Sequence, residues 1–367
     1  MNLLLFNLKT DSESDVLGFT TDWINALSTH FEKIFVMTME AGRVGVNANV
    51  SVLSVGKEKG FSEVHRAWEF YRILTRLLAR EKIDFCFAHM MPLFALMGWP
   101  LLERRGIPIL MWYAHKAKPL TMRLAVMAAK RVVTPSKESF SIKSDKVHVI
   151  GHAVNTSIFR PLTQDQEKDL GFLYVGRITP IKRMDLALSA MNIVVNDDPQ
   201  SRIKLSIVGT TQNASDDLYF ADLRKLVRTY GLQERVEFVG RVPYHAVPNY
   251  YLRSACVLNL CGDGSVDKAV LEAMSCGLPV ITTNRTYEKL IGPELSDLCY
   301  TNAAEWGVAE RMKSILAMPS EERNRVGVRL RETVLQGHSL HSLGCRLVAQ
   351  MKEMRPETHT LGQASLP

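Results

Sequence analysis

Residues 262–284, GDGSVDKAVLEAMSCGLPVITTN, contain in succession a loop, a short helix and a buried strand. Ala269 to Met274 are good helix formers, and Asp267 is expected to cap the helix at its N-terminus. Gly277 stands just beyond the last turn, where a glycine commonly ends a helix. The run 278–283 then predicts an internal strand of a parallel sheet, so the stretch indicates a loop–helix–strand unit of an α/β fold.

The start of that helix is where the sequence points to chemistry. Its first backbone N–H groups have no partner within the helix and carry the positive end of the dipole, so they suit a phosphate group. Glu272 lies one turn further, where a carboxylate accepts hydrogen bonds from sugar hydroxyls. A capped helix whose glutamate faces water fits equally well, so the residues alone leave a phosphate–sugar site and a plain surface helix open.

Apolar, strand-like runs alternate with amphipathic helical segments along the chain of 367 residues. This pattern predicts two doubly wound, Rossmann-like α/β domains. Four segments are expected: a first domain at 1–160, a second at 161–335, a helix at 336–355 that packs back toward the first domain, and a disordered tail at 356–367. Within the first domain we expect a helix at 136–142 capped by Ser136, and a helix after Gly18 capped by Thr20 or Thr21.

The composition describes a soluble globular protein, with 46% hydrophobic and 23% charged residues. Six cysteines form no CxxC pair and no zinc spacing, which favours free thiols in a reducing compartment. The first residues lack the basic start of a secretory signal, so we expect a cytoplasmic protein. Residues 85–102 carry no Asp, Glu, Lys or Arg, but Pro92, Gly98 and Pro100 interrupt them, so a strand and a buried helix are expected rather than a membrane span.

The positive charge is unevenly placed. Residues 1–160 hold 21 Lys and Arg against 14 Asp and Glu, whereas residues 161–367 hold 24 of each, so the net charge of +7 lies in the first part. Arg72, Arg76 and Arg80 recur on one face of a predicted helix at 62–82. Such a surplus suits an anionic membrane or a phosphate-bearing acceptor, and it is equally compatible with simple solubility.

A second segment, LYVGRITPIKRMDLALSAM at 173–191, places two cations after a strand. Arg177 follows the strand directly, and Lys182 stands at the start of the next helix. In open α/β sheets, ligands bind outside the carboxyl ends of the strands. Two cations there offset the charges of a nucleotide diphosphate and stabilise it as it leaves. A cation at a helix start is unfavourable without an anion, which favours a phosphate site over a solvated loop.

Together the two segments resemble the donor-binding signatures of retaining glycosyltransferases of family 4, which are two-domain GT-B enzymes. The run AMSCGLPVI (273–281) follows Glu272, which matches the second glutamate of the family's pair. The run 176–183, GRITPIKR, resembles G-R-(L/I)-x-x-x-K-G, with Arg183 in place of the final glycine. The resemblance implies a GT-B fold, with catalytic roles for Arg177 and Lys182 on the donor phosphates and for Glu272 on the sugar.

The resemblance also implies further donor-binding positions. Gly209 begins a loop that borders the donor, the backbone at Val242 reads the nucleotide base, and the helix start provides Ser265, Lys268, Ala269 and Val270. The family's first glutamate is absent, because Gly264 occupies its position. Lys268, where the common form has an apolar residue, is expected to bind a phosphate or an acidic sugar, or else to be solvated. The donor sugar is therefore recognised differently, or activity is reduced or lost.

On the acceptor side, the resemblance points to three positions in the first domain. His115 follows the strand at 107–113, and the family commonly has a catalytic histidine there that faces the transferred sugar. His89 follows another strand and is a second candidate. Gly18 lies in a loop that resembles the family's first glycine-containing loop, although the usual Gly-Gly pair is missing.

The resemblance leads to a functional hypothesis. We expect a retaining, hexosyltransferase-like enzyme that moves a sugar from a nucleotide-diphosphate sugar to a glycan or glycolipid acceptor in cell-surface polysaccharide or glycolipid assembly. No further cofactor, no metal ion and no nucleic acid partner are expected, and the basic first domain is expected to contact an anionic membrane peripherally. The alternatives are a GT-B protein that binds nucleotide sugars without transfer, a nucleotide-sugar epimerase and a phosphorylase.

Overall fold

The first half of the chain forms a seven-stranded parallel sheet. The computed structural model describes residues 1–14, 17–115, 119–161, 171–264, 267–299 and 301–355. The strands are β1 (Asn2–Thr10), β2 (Lys33–Ala41), β3 (Val50–Ser54), β4 (Phe85–His89), β5 (Ile109–Trp112), β6 (Arg131–Thr134) and β7 (Val147–Val149). Their order is β3-β2-β1-β4-β5-β6-β7, and every neighbouring pair is parallel.

Helices cover both faces of this sheet, as a doubly wound sheet requires. The helices of this half are α1 (Phe19–Ser28), α2 (Glu63–Arg80), α3 (Pro92–Arg104) and α4 (Leu120–Ala128). Buried side chains of α2, α3 and α4 share one apolar core with the sheet, whereas those of α1 belong to the core on the opposite face. The uncharged run at 85–102 is thus a strand and a packed helix, as predicted. No helix in the described ranges is long and apolar enough to cross a membrane.

The second half forms a smaller parallel sheet with the order β10-β9-β8-β11-β12. Its strands are β8 (Gly171–Val175), β9 (Lys204–Val208), β10 (Val236–Gly240), β11 (Cys256–Asn259) and β12 (Val280–Thr282). Its helices are α5 (Met184–Asp197), α6 (Ala214–Thr229), α7 (Val247–Arg253), α8 (Lys268–Ser275), α9 (Thr286–Ile291), α10 (Pro293–Cys299), α11 (Glu305–Ala317) and α12 (Ser320–Gly337). The prediction of two doubly wound parallel domains is confirmed.

The last helix, α13 (Leu340–Glu353), returns to the first half of the chain. It packs against α1, and its Leu343, Leu347 and Met351 lie in the same core as Leu3 and Leu5 of β1. The domain boundaries at 160/161 and 335/336 stay predictions, and the tail at 356–367 lies outside the described residues.

Three local predictions of helix starts are wrong. The segment expected to be a helix at 136–142 is only a 3₁₀ turn over Lys137–Ser139, because Phe140 already has extended dihedrals and is buried. Ser136 nonetheless accepts the Ser139 N–H, as a cap does. Helix α1 starts at Phe19 with Gly18 before it, so Thr20 and Thr21 lie inside the helix. Asp267 precedes α8, but its side chain makes no capping hydrogen bond.

Candidate functional site

The loops that follow strands of the two sheets meet in one cleft. A Cβ atom built on Gly18, after β1, would lie 3.2 Å from Cβ of Tyr244, after β10. Nearby, Glu13 Oε2 lies 3.7 Å from His245 Nδ1. The carboxyl ends of both sheets therefore border the same space, which is where ligands bind in α/β folds. We call the side from residues 171–299 the C-terminal wall and the side from residues 1–155 the N-terminal wall.

Two glycines shape the backbone of the C-terminal wall. Gly176 follows β8 with φ +148°, and Gly209 follows β9 with φ +146°. A Cβ atom on Gly209 would lie 1.8 Å from the carbonyl oxygen of Gly176, so no side chain fits there. Arg177 is exposed, and its Nη1 donates to Gln212 Oε1 at 2.9 Å. The predicted donor loops at Arg177 and Gly209 are thus adjacent, and their backbones are closely packed.

Lys182 is held by an acid from the loop before α8. Its Nζ donates to Asp267 Oδ2 at 2.5 Å. The same carboxylate oxygen accepts from Asn259 Nδ2 at 2.6 Å and lies 3.1 Å from Cys261 Sγ. The side chain that was expected to cap α8 instead neutralises the lysine. Lys182, the cation predicted to bind phosphate, is therefore already paired with a carboxylate.

This arrangement keeps Asp267 ionised. Burial acts to raise the pKa of its carboxyl group, but the charge of Lys182 and the hydrogen bonds from Lys182, Asn259 and Cys261 outweigh it and leave the pKa below its usual value. The hydroxyl of Tyr287 donates to the Asp267 carbonyl oxygen at 2.8 Å and fixes the backbone there. A carboxylate is thus firmly seated at the position where the sequence predicted a phosphate.

A second ion pair lies at the start of α8. Lys268 Nζ is 3.7 Å from Glu272 Oε1, and Tyr251 OH donates to Glu272 Oε2 at 3.0 Å. Glu272 is 6% exposed, so its oxygens have these partners rather than bulk water. Burial raises the pKa of Glu272 against the opposing charge of Lys268, and burial lowers the pKa of Lys268 against the charges of Glu272 and Asp22. The interpretation of Lys268 as a solvated surface residue is wrong.

Lys268 also joins the two walls. Its Nζ lies 3.8 Å from the ring centroid of Phe19, in α1, and 4.9 Å from that of Tyr244. Both rings present the negative face of their π system to the cation. Lys268 is thus a charged side chain of the C-terminal wall that contacts an aromatic residue of the N-terminal wall.

The N-terminal wall is mainly aromatic, and the imidazoles of His89 and His152 are neutral. His89 ends β4, is 5% exposed and lies 4.8 Å from the ring centroid of Trp23. Burial, together with the charges of His152 and Lys268, lowers the pKa of His89 to about 3. Burial and Lys268 similarly lower the pKa of His152 to about 4. Both imidazoles are uncharged at neutral pH, in contrast to the ionised C-terminal wall.

The remaining predicted residues are more dispersed. His115 is exposed just beyond β5, and Val242 lines a cavity of about 810 Å³ beside α7. Ala269 and Val270 form the first turn of α8, where the Ala269 carbonyl oxygen accepts from Tyr251. Ser265 lies outside the described residues. Among the described residues, no group of three or more His, Cys, Asp or Glu side chains is placed to hold a metal ion.

Sequence reasoning missed several residues of the cleft. The capping pattern gave no sign that Asp267 pairs with Lys182, which lies 85 residues earlier. Tyr251 lies on α7 and Phe19 on α1, and their contacts with α8 arise only in the folded chain. The nearest signal was Lys268, which stands where the common form of the family has an apolar residue.

Comparisons with known proteins were consistent with this geometry. Residues 156–333 match the family model "Glycosyl transferases group 1". A D-inositol 3-phosphate glycosyltransferase of Frankia alni is 31% identical over 147 residues, or 37% of this chain and 36% of that protein. The human GDP-Man:Man(3)GlcNAc(2)-PP-Dol alpha-1,2-mannosyltransferase is 28% identical over 167 residues, or 44% of this chain and 34% of that protein. The chain spans between about a third and a half of the first curated relatives that it matches.

Solved structures match almost the whole chain. Anabaena Alr3699/HepE, crystallised in complex with UDP, superposes with a TM-score of 0.72 at 13% identity, over 96% of this chain and 100% of that chain. Sucrose-phosphate synthase from Thermosynechococcus elongatus superposes with a TM-score of 0.71 at 17% identity, over 96% and 99%. These matches confirm the predicted GT-B fold.

Proposed function

We propose that the chain, whose residues 156–333 match the glycosyl transferases group 1 model, moves a sugar from a nucleotide-diphosphate sugar to an acceptor with retention of configuration. The relatives named above are glycosyltransferases, and one neighbouring fold was crystallised with UDP. The observation that carries the proposal is the anion site formed by Lys182 and the loop before α8.

We propose that the donor diphosphate exchanges with Asp267 at Lys182. In the structure Lys182 holds a carboxylate at 2.5 Å beside the start of α8. A phosphate oxygen makes the same kind of charge-assisted hydrogen bond, so Lys182 remains neutralised before and after donor binding. Asp267 keeps Asn259 as a donor when it releases Lys182. The N–H groups at the start of α8 and the guanidinium of Arg177 supply the remaining positive potential.

The chemistry then follows from where negative charge develops. As the bond between the sugar and the diphosphate breaks, charge accumulates on the departing phosphate oxygen, and Lys182, Arg177 and the start of α8 stabilise it. That oxygen lies on the face from which the acceptor attacks, so it accepts the proton of the acceptor hydroxyl. The configuration is retained without an enzyme nucleophile. We propose that no metal ion and no further cofactor take part, because the two cations offset the diphosphate charge.

Lys268 and Glu272 are proposed to read the donor sugar. Gly264 offers no side chain at the position where the family has its first glutamate. The Nζ of Lys268 lies between the two walls, 3.7 Å from Glu272. An acidic sugar or a phosphate would give this cation a second anionic partner, so we propose that one of these two groups binds there. Glu272 positions Lys268 and accepts hydrogen bonds from sugar hydroxyls.

On the N-terminal wall, Gly18, His89 and His115 are proposed to border the acceptor. Gly18 leaves room beside Tyr244, His89 presents an uncharged imidazole, and His115 is exposed at the end of β5. Neutral imidazoles and aromatic rings suit the hydroxyl groups of a glycan or a glycolipid. We propose a cytoplasmic setting in cell-surface polysaccharide or glycolipid assembly.

Two observations favour a second function. Because Gly264 replaces a sugar-binding glutamate and Asp267 already occupies Lys182, a protein that binds nucleotide sugars without transfer is the alternative. Incubation with donor and acceptor extracts separates the two, since only the transferase gives a glycosylated product. An epimerase would instead give an altered nucleotide sugar without acceptor, and a phosphorylase would show a pyridoxal absorbance.

The proposal is tested by a thermal-shift screen against nucleotide sugars. A donor present at a hundredfold over its Kd stabilises the protein by about 2.7 kcal/mol, which is readily measured. We expect Lys182→Ala to lose the shift and Asp267→Asn to enlarge it, because the asparagine no longer competes for Lys182. Lys313→Ala is the matched control, since Lys313 also pairs with an aspartate, Asp197, in the same half of the chain.

The outcomes separate the parts of the proposal. No stabilisation of the wild-type protein by any nucleotide sugar would overturn the donor site altogether. If Asp267→Asn weakened donor binding as much as Lys182→Ala, the exchange of anions would be wrong and the pair would be part of the site as it stands.

A further inference from the structure

The outer surface of α3 and α4 exposes large apolar side chains on a single side of the first domain. On α4, Leu120, Leu124 and Met127 are 71%, 40% and 72% exposed. Their spacing of four and three residues places them on one face of the helix. On the neighbouring α3, Trp99 is 41% exposed. The opposite face of α4, with Met122, Ala125 and Val126, is buried against the sheet. Helix α4 is therefore apolar on both faces, although one of them is exposed.

The chain around α4 is rich in positive charge, although Arg131 is paired with Glu353. From Arg104 to Lys137 the sequence has eight Lys and Arg and no Asp or Glu in 34 residues. Arg123 and Lys130 lie on or beside α4 and are exposed. Exposed leucine, methionine and tryptophan flanked by cations are typical of helices that lie in the headgroup region of an anionic bilayer.

The charge also argues against the other occupants of this face. In a symmetric dimer the same surface meets itself, so the cations of one copy would face those of the other. Arg72 of α2 is less suited to lipid than the face of α4. Arg72 donates to Glu69 and lies 5.6 Å from the ring of Trp68, so its charge is already compensated.

We infer that the exposed face of α3 and α4 docks on an anionic bilayer surface. Leu120, Leu124 and Met127 enter the headgroup region, and Arg123 and Lys130 contact lipid phosphates. Helix α4 begins soon after the end of β5, where His115 lies, so docking brings the bilayer next to the mouth of the cleft. In terms of the proposed function, on which this last point alone rests, an acceptor carried by a lipid would be presented to the N-terminal wall.

Vesicle co-sedimentation tests the inference with the full chain. We expect binding to phosphatidylcholine vesicles that contain phosphatidylserine, little binding to phosphatidylcholine alone, and weaker binding as salt rises. Met127→Glu should weaken binding about tenfold, because it replaces an apolar contact with an anion. Leu218→Glu on α6 is the matched control, since Leu218 is also 72% exposed but lies in the other domain.

The results of these experiments decide whether this face docks on an anionic bilayer. Equal loss of binding in the two glutamate variants, equal binding to both kinds of vesicle, or no binding at all would overturn the inference. A wild-type dimer that Met127→Glu converts to a monomer would assign the face to a second copy instead. Unchanged melting temperatures of both variants establish that each is folded, and an unchanged thermal shift with nucleotide sugars separates lipid docking from the donor site.

Discussion

The two walls of the cleft differ in the charged groups that they contain. The C-terminal wall holds two ion pairs, Lys182 with Asp267 and Lys268 with Glu272. The N-terminal wall presents Phe19, Trp23 and an imidazole that stays neutral. The division places two ion pairs at the proposed diphosphate site, whereas the opposite wall contributes aromatic rings, neutral imidazoles and Asp22, whose charge acts on Lys268. Substitutions in the two walls should therefore have different effects on activity and stability.

The largest effect is expected at Lys182. If Lys182 faces the charge that develops on the leaving diphosphate, as proposed, Lys182→Ala should lower kcat/KM by about 10²–10³-fold, or about 3–4 kcal/mol. On the N-terminal wall, His89→Gln should change kcat/KM by less than about tenfold at neutral pH, since it removes no charge. Steady-state kinetics of the two variants make the comparison. Equal losses would show that the walls do not divide the work as described.

Glu272→Ala is expected to cost about 3 kcal/mol of unfolding free energy. It leaves Lys268, whose side chain is 19% exposed, without its carboxylate partner. The double variant Glu272→Ala/Lys268→Met should recover much of this loss, because the unpaired charge is gone. Urea unfolding of the single and double variants measures the loss of unfolding free energy and its recovery. A double variant as unstable as the single one would place the loss in packing rather than in charge.

The contact between the walls is tested at Gly18. A Cβ atom there would lie 2.5 Å from the Ser14 carbonyl oxygen and 3.2 Å from Tyr244 Cβ. Gly18→Ala should therefore cost roughly 1–3 kcal/mol and loosen the contact between the walls. Gly337→Ala is the control, because a Cβ atom at Gly337 meets nothing within 4 Å. Chemical unfolding shows whether only the first variant loses stability.

Acid should destabilise the protein through the N-terminal wall. The pKa of His89 is about 3 in the folded chain, below its ordinary value of 6.5. As the pH falls below 6.5, the unfolded chain takes up a proton that the folded histidine does not, so stability falls. The slope is at most about 1.4 kcal/mol per pH unit for this residue. His89→Gln should flatten the decline between pH 6.5 and 5, and an unchanged slope would assign it to other groups such as His152.

The smallest expected effect is that of metal removal. If Lys182 and Arg177 neutralise the diphosphate as proposed, a chelator should leave kcat/KM within about twofold of its value without chelator. A large loss that added Mg²⁺ or Mn²⁺ restores would show that the C-terminal wall lacks sufficient charge of its own.

Much of the fold could be predicted from the sequence, because its signals are local. The uncharged run at 85–102 was correctly predicted to contain a strand and a packed helix, and Gly277 ends α8 with φ +71° as expected. Short elements were harder to predict. Helices α9 and α10 have six and seven residues, too few for a clear apolar period.

The partners in the site could not be predicted in the same way. The sequence pointed to Lys182 and Glu272, but it assigned Asp267 to a helix cap and left Lys268 open. The pair of Lys182 and Asp267 depends on how loops 85 residues apart are brought together. The pair of Lys268 and Glu272 lies within α8, and its strength depends on how deeply Glu272 is buried. Local patterns carry no information on either. The roles of these residues toward a donor stay predictions.

The position of α13 has a consequence for folding during synthesis on the ribosome. Leu343, Leu347 and Met351 of α13 pack in the same core as Leu3 and Leu5 of β1. The first domain is therefore synthesised first, but its core is complete only after α13 has been synthesised. A nascent chain halted before residue 340 should leave that side of the first sheet uncovered and open to proteases, whereas release of α13 should close it. The two halves are thus assembled as one unit, and the order of folding differs from the order of translation.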